Sequence, residues 1–435
     1  MKYGLEHERL AIDGGRPVKT TPSIPMFPGG LEIGEEEKQA VWEVLDNKYL
    51  FRYYGPGDSP SRVKMFEEEF SQRIGTRHAL AVNSGTSALI ASLVAVGVGP
   101  GDEVIVPGYT FFASCAAILA AKAIPVIAEV DDSLTLDPVD FEKKITTKTK
   151  AVMPVHMRGA PCDMDRILEI AAKHNLRVIE DVAQACGGSF QGKPLGSMGE
   201  CNAFSFQFHK IITAGEGGMV TTDSDPCFDR AQEYHDTAAC WRPGGPASRF
   251  VRARYRGELF PGVNFRMSEL IGAVMLVQLH KLDGILSKMR RNKQRIKAGI
   301  GDLAGIGFRR LNDPAGDTGI ALIFFLESGS LAEKFAKALQ AEGVVANSIF
   351  NKGIPDWHIY SHWEMIMNKW TATPEGCPYT CPYHQGPAPD YSPDMCPQTL
   401  ALLERSVHLD IPPQMSAEDC DLTVEAIRKV AHAYL

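Results

Sequence analysis

At 435 residues, with 44% hydrophobic and 23% charged side chains, the chain can build one large domain, a smaller one and an ample core. A formal net charge of -8 argues against a protein built to hold a nucleic-acid backbone or an anionic membrane surface. Ten scattered cysteines do not form a disulfide framework and the N-terminus lacks the apolar centre of a signal peptide, so a reduced, cytoplasmic setting is expected.

In chain order, residues 1–30 carry several prolines and glycines and read as an N-terminal arm. From about Lys38 to Asp225, short apolar runs alternate with helix-like stretches. His78–Val82 is strand-like and Ser84–Val96 helical, and Glu103–Val106 with Phe112–Ala121 repeats the pair. Val126–Val130, Ala151–Val155 and Arg177–Ile179 continue the strands, with an amphipathic helix at Asp165–His174. This alternation predicts an α/β domain over residues 31–300 around a mostly parallel central sheet. Such sheets bind ligands beyond the carboxyl ends of their strands. Asn264–Lys281 is predicted helical, continuing into a charged helix from Leu282 to Ala298. The basic run Lys288–Arg295 reads as a solvated helix face rather than a nucleic-acid site. After Gly301 the order changes to a strand at Gly319–Leu326, a helix at Ser330–Ala341, a strand at Val344–Ile349 and a closing helix at Ala417–Tyr434. Residues 301–435 are therefore predicted to form a smaller α+β domain. The most apolar stretch, Ala113–Val130, is interrupted by Lys122 and Pro125 and is not expected to span a membrane.

Four groups fall at the predicted strand ends. Asn83-Ser84-Gly85-Thr86-Ser87 puts hydroxyls and a glycine at a helix start, where free N–H groups attract an anion, although Ser and Thr are also ordinary N-caps. Pro107–Phe112 brings aromatic rings to the same rim; in most proteins such rings are core. Glu180 and Asp181, followed by Gln184, set two carboxylates after a buried strand. A buried carboxylate needs a cationic partner, and no Lys or Arg lies nearby in sequence. In AFSFQFHKIITAGEGG, Ser205 ends a strand, and Lys210 follows, with glycines after it that let backbone pass close to a ring. A desolvated lysine is a nucleophile toward carbonyls, while a lysine turned to solvent is the ordinary alternative. One ligand satisfies all four groups: a phosphate for Ser84–Thr86 and Ser205, a flat ring for the aromatic, a cationic nitrogen for Asp181 and an aldehyde for Lys210. Pyridoxal 5'-phosphate (PLP) has these four features.

Cys377, Cys381, His384 and Cys396 offer zinc-ligand chemistry, but C-x3-C-x2-H with a distant fourth ligand fits no familiar finger. Their Pro-, Gly- and Tyr-rich surroundings predict a long ordered loop, and no metal is expected.

Taken in order, VKMFEEEFSQRIGTRHALAVNSGTSAL, GDEVIVPGYTFFAS, KAVMPVHMRGAPCDMD, VIEDVAQACGGSFQGKPLGSMGE, AFSFQFHKIITAGEGG and PGVNFRMSELIGAVMLVQLHKLD resemble the DegT/DnrJ/EryC1/StrS family over nearly the whole chain. These are PLP-dependent sugar aminotransferases of the aspartate aminotransferase-like, type I fold. The resemblance implies that Lys210 forms the Schiff base and shuttles protons, and that Asp181 partners the pyridine nitrogen. It implies Gln184 near the ring hydroxyl, Phe111 stacked on the ring, and Gly85, Thr86 and Ser205 on the phosphate. Asn264 in GVNFR matches an asparagine that reaches the phosphate from the neighbouring subunit, which implies a homodimer with shared active sites.

The implied reaction moves an amino group from glutamate or glutamine to a keto or aldehyde carbon of a sugar or cyclitol. The acceptor is a nucleotide-linked keto-sugar, a keto-inositol or a keto-octulosonate, and no nucleic acid or membrane partner is expected. A PLP- or PMP-dependent sugar dehydratase is the enzymatic alternative, but relatives of that kind replace the lysine with histidine, and here His209 only adjoins Lys210. A non-catalytic PLP-binding regulator usually brings a DNA-binding segment, for which neither end has room or charge. Two departures stand out. PVHMRG, Pro154–Gly159, replaces a PVHLYG-like segment, so that Arg158 either reaches an anionic substrate or lies on the surface. Trp357–Cys396 is longer than many members carry and is expected to wall the substrate entrance from the small domain, with His358 and His362 as acceptor contacts. LFRYYG, Leu50–Gly55, resembles the cyclitol and octulosonate subgroups.

Overall fold

Runs with too few polar residues to face water on either side form the central sheet. Ile124–Ala128, Glu103–Pro107, Thr149–Val152 and Arg177–Val178 lie in that order, all parallel, and the first two are buried along their whole length. Backbone bonds carry the last strand onward: Ile179 N–H donates to Val152 O at 3.0 Å, Asp181 N–H to Pro154 O at 2.9 Å and Val182 N–H to Ala203 O at 2.8 Å. Through a parallel bridge from Asp181 to Ala203, the sheet continues into Asn202–Ser205, then Gly218–Thr222, then His78–Val82. Of these seven strands only Gly218–Thr222 runs against the rest. The computed structural model describes residues 9–238, 260–350 and 355–435, so the first eight residues of the expected arm lie outside the described residues.

Strand alternation sorts the core into two layers. Val104 and Val106 pack with Ala88, Leu89, Cys115 and Ile118 of the helices Gly85–Ala95 and Ala113–Ala120. Ile105 points the other way, toward Phe66 and Phe70 of helix Arg62–Ile74 and Leu279 and Leu282 of helix Glu269–Ile300. The last helix is a single unbroken element of 32 residues, where the sequence pattern suggested two joined segments beginning at Asn264. Ser268 caps it, its side chain accepting from Ile271 N–H at 3.4 Å, which leaves Asn264 outside the helix in an extended bridge to Asp236. Among the described residues it is the one helix long and apolar enough to cross a membrane, but Leu276, Leu279, Leu282, Ile285 and Met289 bury its apolar side in the core.

A second, antiparallel sheet follows, in the order Gly307–Phe308, Ala321–Phe325, Ser406–Asp410 and Ala346–Asn347, backed by helices Gly329–Ala341 and Ala417–Tyr434. The segment between its strands returns to the first domain. Tyr360, Trp363, Ile366 and Cys396 are buried against the helices of the large sheet. Thr110 N–H donates to His358 O at 2.9 Å, Phe112 N–H to Trp357 O at 3.0 Å and Tyr360 N–H to Gly108 O at 3.0 Å. The expected small-domain location of Trp357–Cys396 is thus corrected: its buried aromatics anchor it to the large domain, beside Pro107–Phe112.

Candidate active site

The carboxyl ends of the strands meet at a cavity of about 690 Å³. Its floor starts at the helix Gly85–Ala95. Ser84 caps that helix by accepting from Ser87 N–H at 3.1 Å, and the helix's first N–H groups have no acceptor within it. Gly85 and Thr86 line the cavity at this end, opposite Ser205, which closes strand Asn202–Ser205. A Cβ on Gly85 would fall 2.5 Å from Ser205 Cβ, so a glycine is required for the two elements to close into one cradle.

Glu180 and Asp181 diverge here. Asp181 is almost wholly buried and lines the cavity, accepting from Ser114 Oγ at 2.9 Å and from Ala183 N–H at 3.1 Å. Ser114 is itself tied to Thr110 Oγ1 at 2.8 Å. Burial raises the Asp181 carboxyl above its ordinary range, against the pull of these bonds and of Lys210 and His156. The fold, not the nearby sequence, brings a basic side chain close, because Lys210 lines the same cavity.

Lys210 sits in the loop joining strands Asn202–Ser205 and Gly218–Thr222. The loop is laced by Phe206 N–H to Gly217 O at 2.8 Å, Phe208 N–H to Gly215 O at 3.0 Å and Thr213 Oγ1 to Phe206 O at 2.8 Å. Burial lowers the lysine's pKa and nearby Arg158 adds to the effect, while Asp181 and Glu216 oppose it. Both members of the Asp181–Lys210 pair are therefore pushed toward their neutral forms. That favours an amine able to attack a carbonyl, and it leaves Asp181 a buried carboxyl whose charged form a protonated nitrogen beside it would stabilise.

Phe111 lines the cavity and is 47% exposed, with the His358 ring 5.3 Å away. Gln184 Oε1 accepts from Arg158 N–H at 3.2 Å. Arg158 is not a surface residue: it lines the cavity and its Nη1 donates to Asp410 Oδ1 at 2.8 Å. Asn264 does not line this chain's own cavity; it is exposed, and its Oδ1 accepts from Arg266 N–H at 3.1 Å.

The remaining candidates lie apart from the cavity. His362 stacks on Phe350 and accepts from Asp356 N–H at 2.9 Å, a supporting role. Arg52 of LFRYYG is buried, donating to Ala81 O at 2.9 Å and Glu67 Oε1 at 2.5 Å. His384 pairs with Glu103 at 3.0 Å and Cys396 is buried in the core, whereas Cys377 is exposed. Among the described residues no group of three or more His, Cys, Asp or Glu is placed to hold a metal.

Sequence reasoning missed Ser114, Glu216 and Asp410. Asp410 ends the strand Ser406–Asp410 of the antiparallel sheet, to which the strand-end rule does not apply. Ser114 lies two residues past the aromatic pair and has no signal of its own.

The family model described as the DegT/DnrJ/EryC1/StrS aminotransferase family matches residues 31–372. The chain is 45% identical over 259 residues to the GDP-perosamine synthase of Caulobacter vibrioides, covering 59% of this chain and 64%, less than two thirds, of that protein. It is 35% identical over 320 residues to the L-glutamine:2-deoxy-scyllo-inosose aminotransferase of Streptomyces kanamyceticus, covering 72% of each. The aminotransferase structure from Psychrobacter cryohalolentis matches with a TM-score of 0.77 at 28% identity, over 92% of this chain and 98% of that one.

Proposed function

The chain belongs to the DegT/DnrJ/EryC1/StrS aminotransferase family, and from that premise we propose that it moves an amino group from glutamine or glutamate to a carbonyl carbon of a sugar or cyclitol, using PLP. The observation that carries this reading is the shared cavity of Lys210 and Asp181, in which burial favours the uncharged form of each. The donor set suits the cofactor. The Gly85–Ser205 cradle at a helix start accepts a phosphate, Asp181 is fixed by Ser114 and Ala183, and Phe111 offers a partly open ring face.

When bound, PLP supplies an electrophilic carbonyl and a ring that accepts electrons. Ser84, Gly85, Thr86 and Ser205 would hold the phosphate end, and Phe111 would offer its face to the ring. Gln184, which lines the cavity, would meet the ring hydroxyl. Asp181 would hold a proton on the ring nitrogen, a charge-assisted bond that its burial would strengthen. Lys210 Nζ, which burial biases toward its uncharged form, would take the proton from the donor's α-carbon and hold it for return. The same groups act in reverse order on the acceptor. Asn264 of the partner subunit completes the phosphate site, so the working unit is a homodimer in a reducing cytoplasm. Lys210 disfavours the dehydratase alternative, whose relatives carry histidine there.

The relatives' names contain a GDP-linked sugar and a scyllo-inosose, which makes a nucleotide-linked keto-sugar or a cyclic keto-polyol the first acceptors to try. Purified enzyme is supplied with PLP, L-glutamine or L-glutamate, and a panel of both acceptor classes. Oxo-acid formation together with an aminated product by mass spectrometry is expected. If no amino acid converts the bound cofactor to its aminated form, the reading fails.

A further inference from the structure

The proposed reaction sets one cavity a problem of charge. Glutamine and glutamate bring a carboxylate, whereas a sugar or cyclitol ketone presents neutral hydroxyls to the same walls. Lys210 is committed to the chemistry and cannot also serve as the carboxylate's partner. Of the other basic groups lining the cavity, His358 is tied to Asp356 Oδ1 at 2.7 Å and His209 is packed against the Phe27 ring at 5.0 Å. Arg158 is the only guanidinium among the described residues that line it.

Arg158 is held in a particular way. Its backbone is rigid: φ is 51°, its N–H donates to Gln184 Oε1, and the next residue, Gly159, has no room for a Cβ because Thr318 Oγ1 would lie 2.1 Å away. Its side chain is less committed. Nη1 donates to Asp410 Oδ1 at 2.8 Å, while Nε is shielded from water and makes no well-formed hydrogen bond among the described residues. The buried Tyr109 hydroxyl lies close enough to the guanidinium to interact with it. Both Arg158 and Asp410 keep 24% of their side chains exposed, so parting them does not strand a charge in a dry core. Asp410 ends a strand of the second sheet, while Arg158 follows a strand of the first, and the pair spans the cavity wall between them.

We propose that Arg158 and Asp410 form an exchangeable ion pair that determines donor specificity, Arg158 leaving Asp410 for the carboxylate of the amino-acid donor and returning to it when the hydroxylated acceptor enters. In the closed arrangement the pair is neutral, and Asp410 offers its second oxygen to an acceptor hydroxyl. In the open arrangement the guanidinium meets the carboxylate as a fork. The exchange forms and breaks no covalent bond.

This inference rests on the aminotransferase reading, and the test separates the two. The PLP-loaded holoenzyme is mixed with L-glutamine and its absorbance change followed, and glutarate, an unreactive carboxylate, is titrated as a competitor. Arg158→Met is expected to raise the L-glutamine KM and the glutarate Ki about ten- to a hundredfold, the range for losing a hydrogen bond to a charged group, while the acceptor KM moves less than threefold. Asp410→Asn is expected to do the reverse, tightening glutarate and weakening the acceptor. A static bridge between the sheets predicts that both variants weaken donor and acceptor together, and that result overturns the proposal. So does an unchanged glutarate Ki in Arg158→Met. If Arg158→Met does not fold, Asp410→Asn decides alone, since unchanged or weaker glutarate binding there is equally fatal. Wild-type enzyme that no amino acid converts would instead sink the aminotransferase reading.

Discussion

Glu180 and Asp181 are consecutive residues whose carboxylates end in different surroundings on opposite faces of the sheet. The two-residue period of an extended strand forces the split. Glu180 turns away from the cavity and is enclosed by His156 Nε2 at 3.0 Å and by the N–H groups of Gly196, Met198 and Gly199 at 2.9, 2.7 and 2.7 Å. Asp181 turns into the cavity with Ser114. One carboxylate fixes the strand end, and the other faces the cavity.

The Glu180–His156 pair is expected to stabilise the fold in a pH-dependent way. Burial resists charge on both groups, yet His156 is pushed up to about 10 by Cys162 and Glu180, and Glu180 is held below its usual 4.5 by His156 and the loop N–H groups. A raised histidine contributes fully below its unfolded value of 6.5, and that contribution is lost as pH climbs toward 10. The lowered carboxylate contributes above 4.5 and is lost on acidification. Glu180→Gln should therefore cost about 3–5 kcal/mol near pH 6, the usual penalty for breaking a buried pair, and clearly less near pH 10. Urea unfolding at the two pH values measures this, and an identical loss at both rules out the charged pair.

Asp181→Asn keeps the shape of the side chain and removes its charge. The half-reaction with L-glutamine should slow by about a hundredfold or more, because a charge-assisted bond and the ring's protonation go together. Ser114→Ala, which removes one bond to Asp181, should slow it by about tenfold. Stopped-flow absorbance reads both. A near-normal Asp181→Asn rate would make the residue structural.

The sheet was legible in the sequence because its strands are short, apolar and separated by helices, and the strand-end rule then singled out Ser84–Thr86, Asp181 and Ser205. What stayed hidden depends on contacts between distant segments. Nothing near Arg158 announces Asp410, 252 residues away. Trp357–Cys396 looks like part of the second domain by position alone, and only the burial of Tyr360 and Trp363 against the first reveals its side. The sequence reads as helical from Asn264, ahead of the Ser268 cap, and the cap hydrogen bond sets the boundary.

Lys210 should be the point of covalent attachment. Borohydride treatment of the PLP-loaded protein is expected to fix the cofactor on the peptide containing Lys210, as seen by mass spectrometry, and to bleach the visible absorbance. Lys210→Ala should hold PLP only reversibly and lose amino transfer by several orders of magnitude. Attachment at another lysine, or full turnover by the variant, would remove Lys210 from its role.

Asn264 tests the shared site. Its side chain is exposed and stands outside its own cavity, as a residue serving a second copy must. Asn264→Ala should weaken PLP binding by about tenfold, the effect of one hydrogen bond to a charged group. Mixing Lys210→Ala chains with Asn264→Ala chains should then yield heterodimers with one intact site and activity above either parent. Heterodimers that form without recovery would place Asn264 away from the neighbour's cofactor.

The two histidines after Trp357 should separate cleanly. His358 lines the cavity beside Phe111, 5.3 Å from its ring, and is oriented by Asp356 at 2.7 Å. Its free edge is available to a hydroxyl of the acceptor, so His358→Ala should raise the acceptor KM by about tenfold while the L-glutamine half-reaction changes much less. His362 instead stacks on Phe350 and accepts the Asp356 N–H, which keeps Asp356 in place beneath His358. His362→Ala should therefore lower stability by about 1 kcal/mol and act on the acceptor only weakly, through Asp356. Parallel measurement of acceptor KM, donor KM and unfolding midpoint distinguishes the two. Equal effects of both substitutions on donor and acceptor would mean that the segment shapes the whole cavity and that neither ring touches the acceptor.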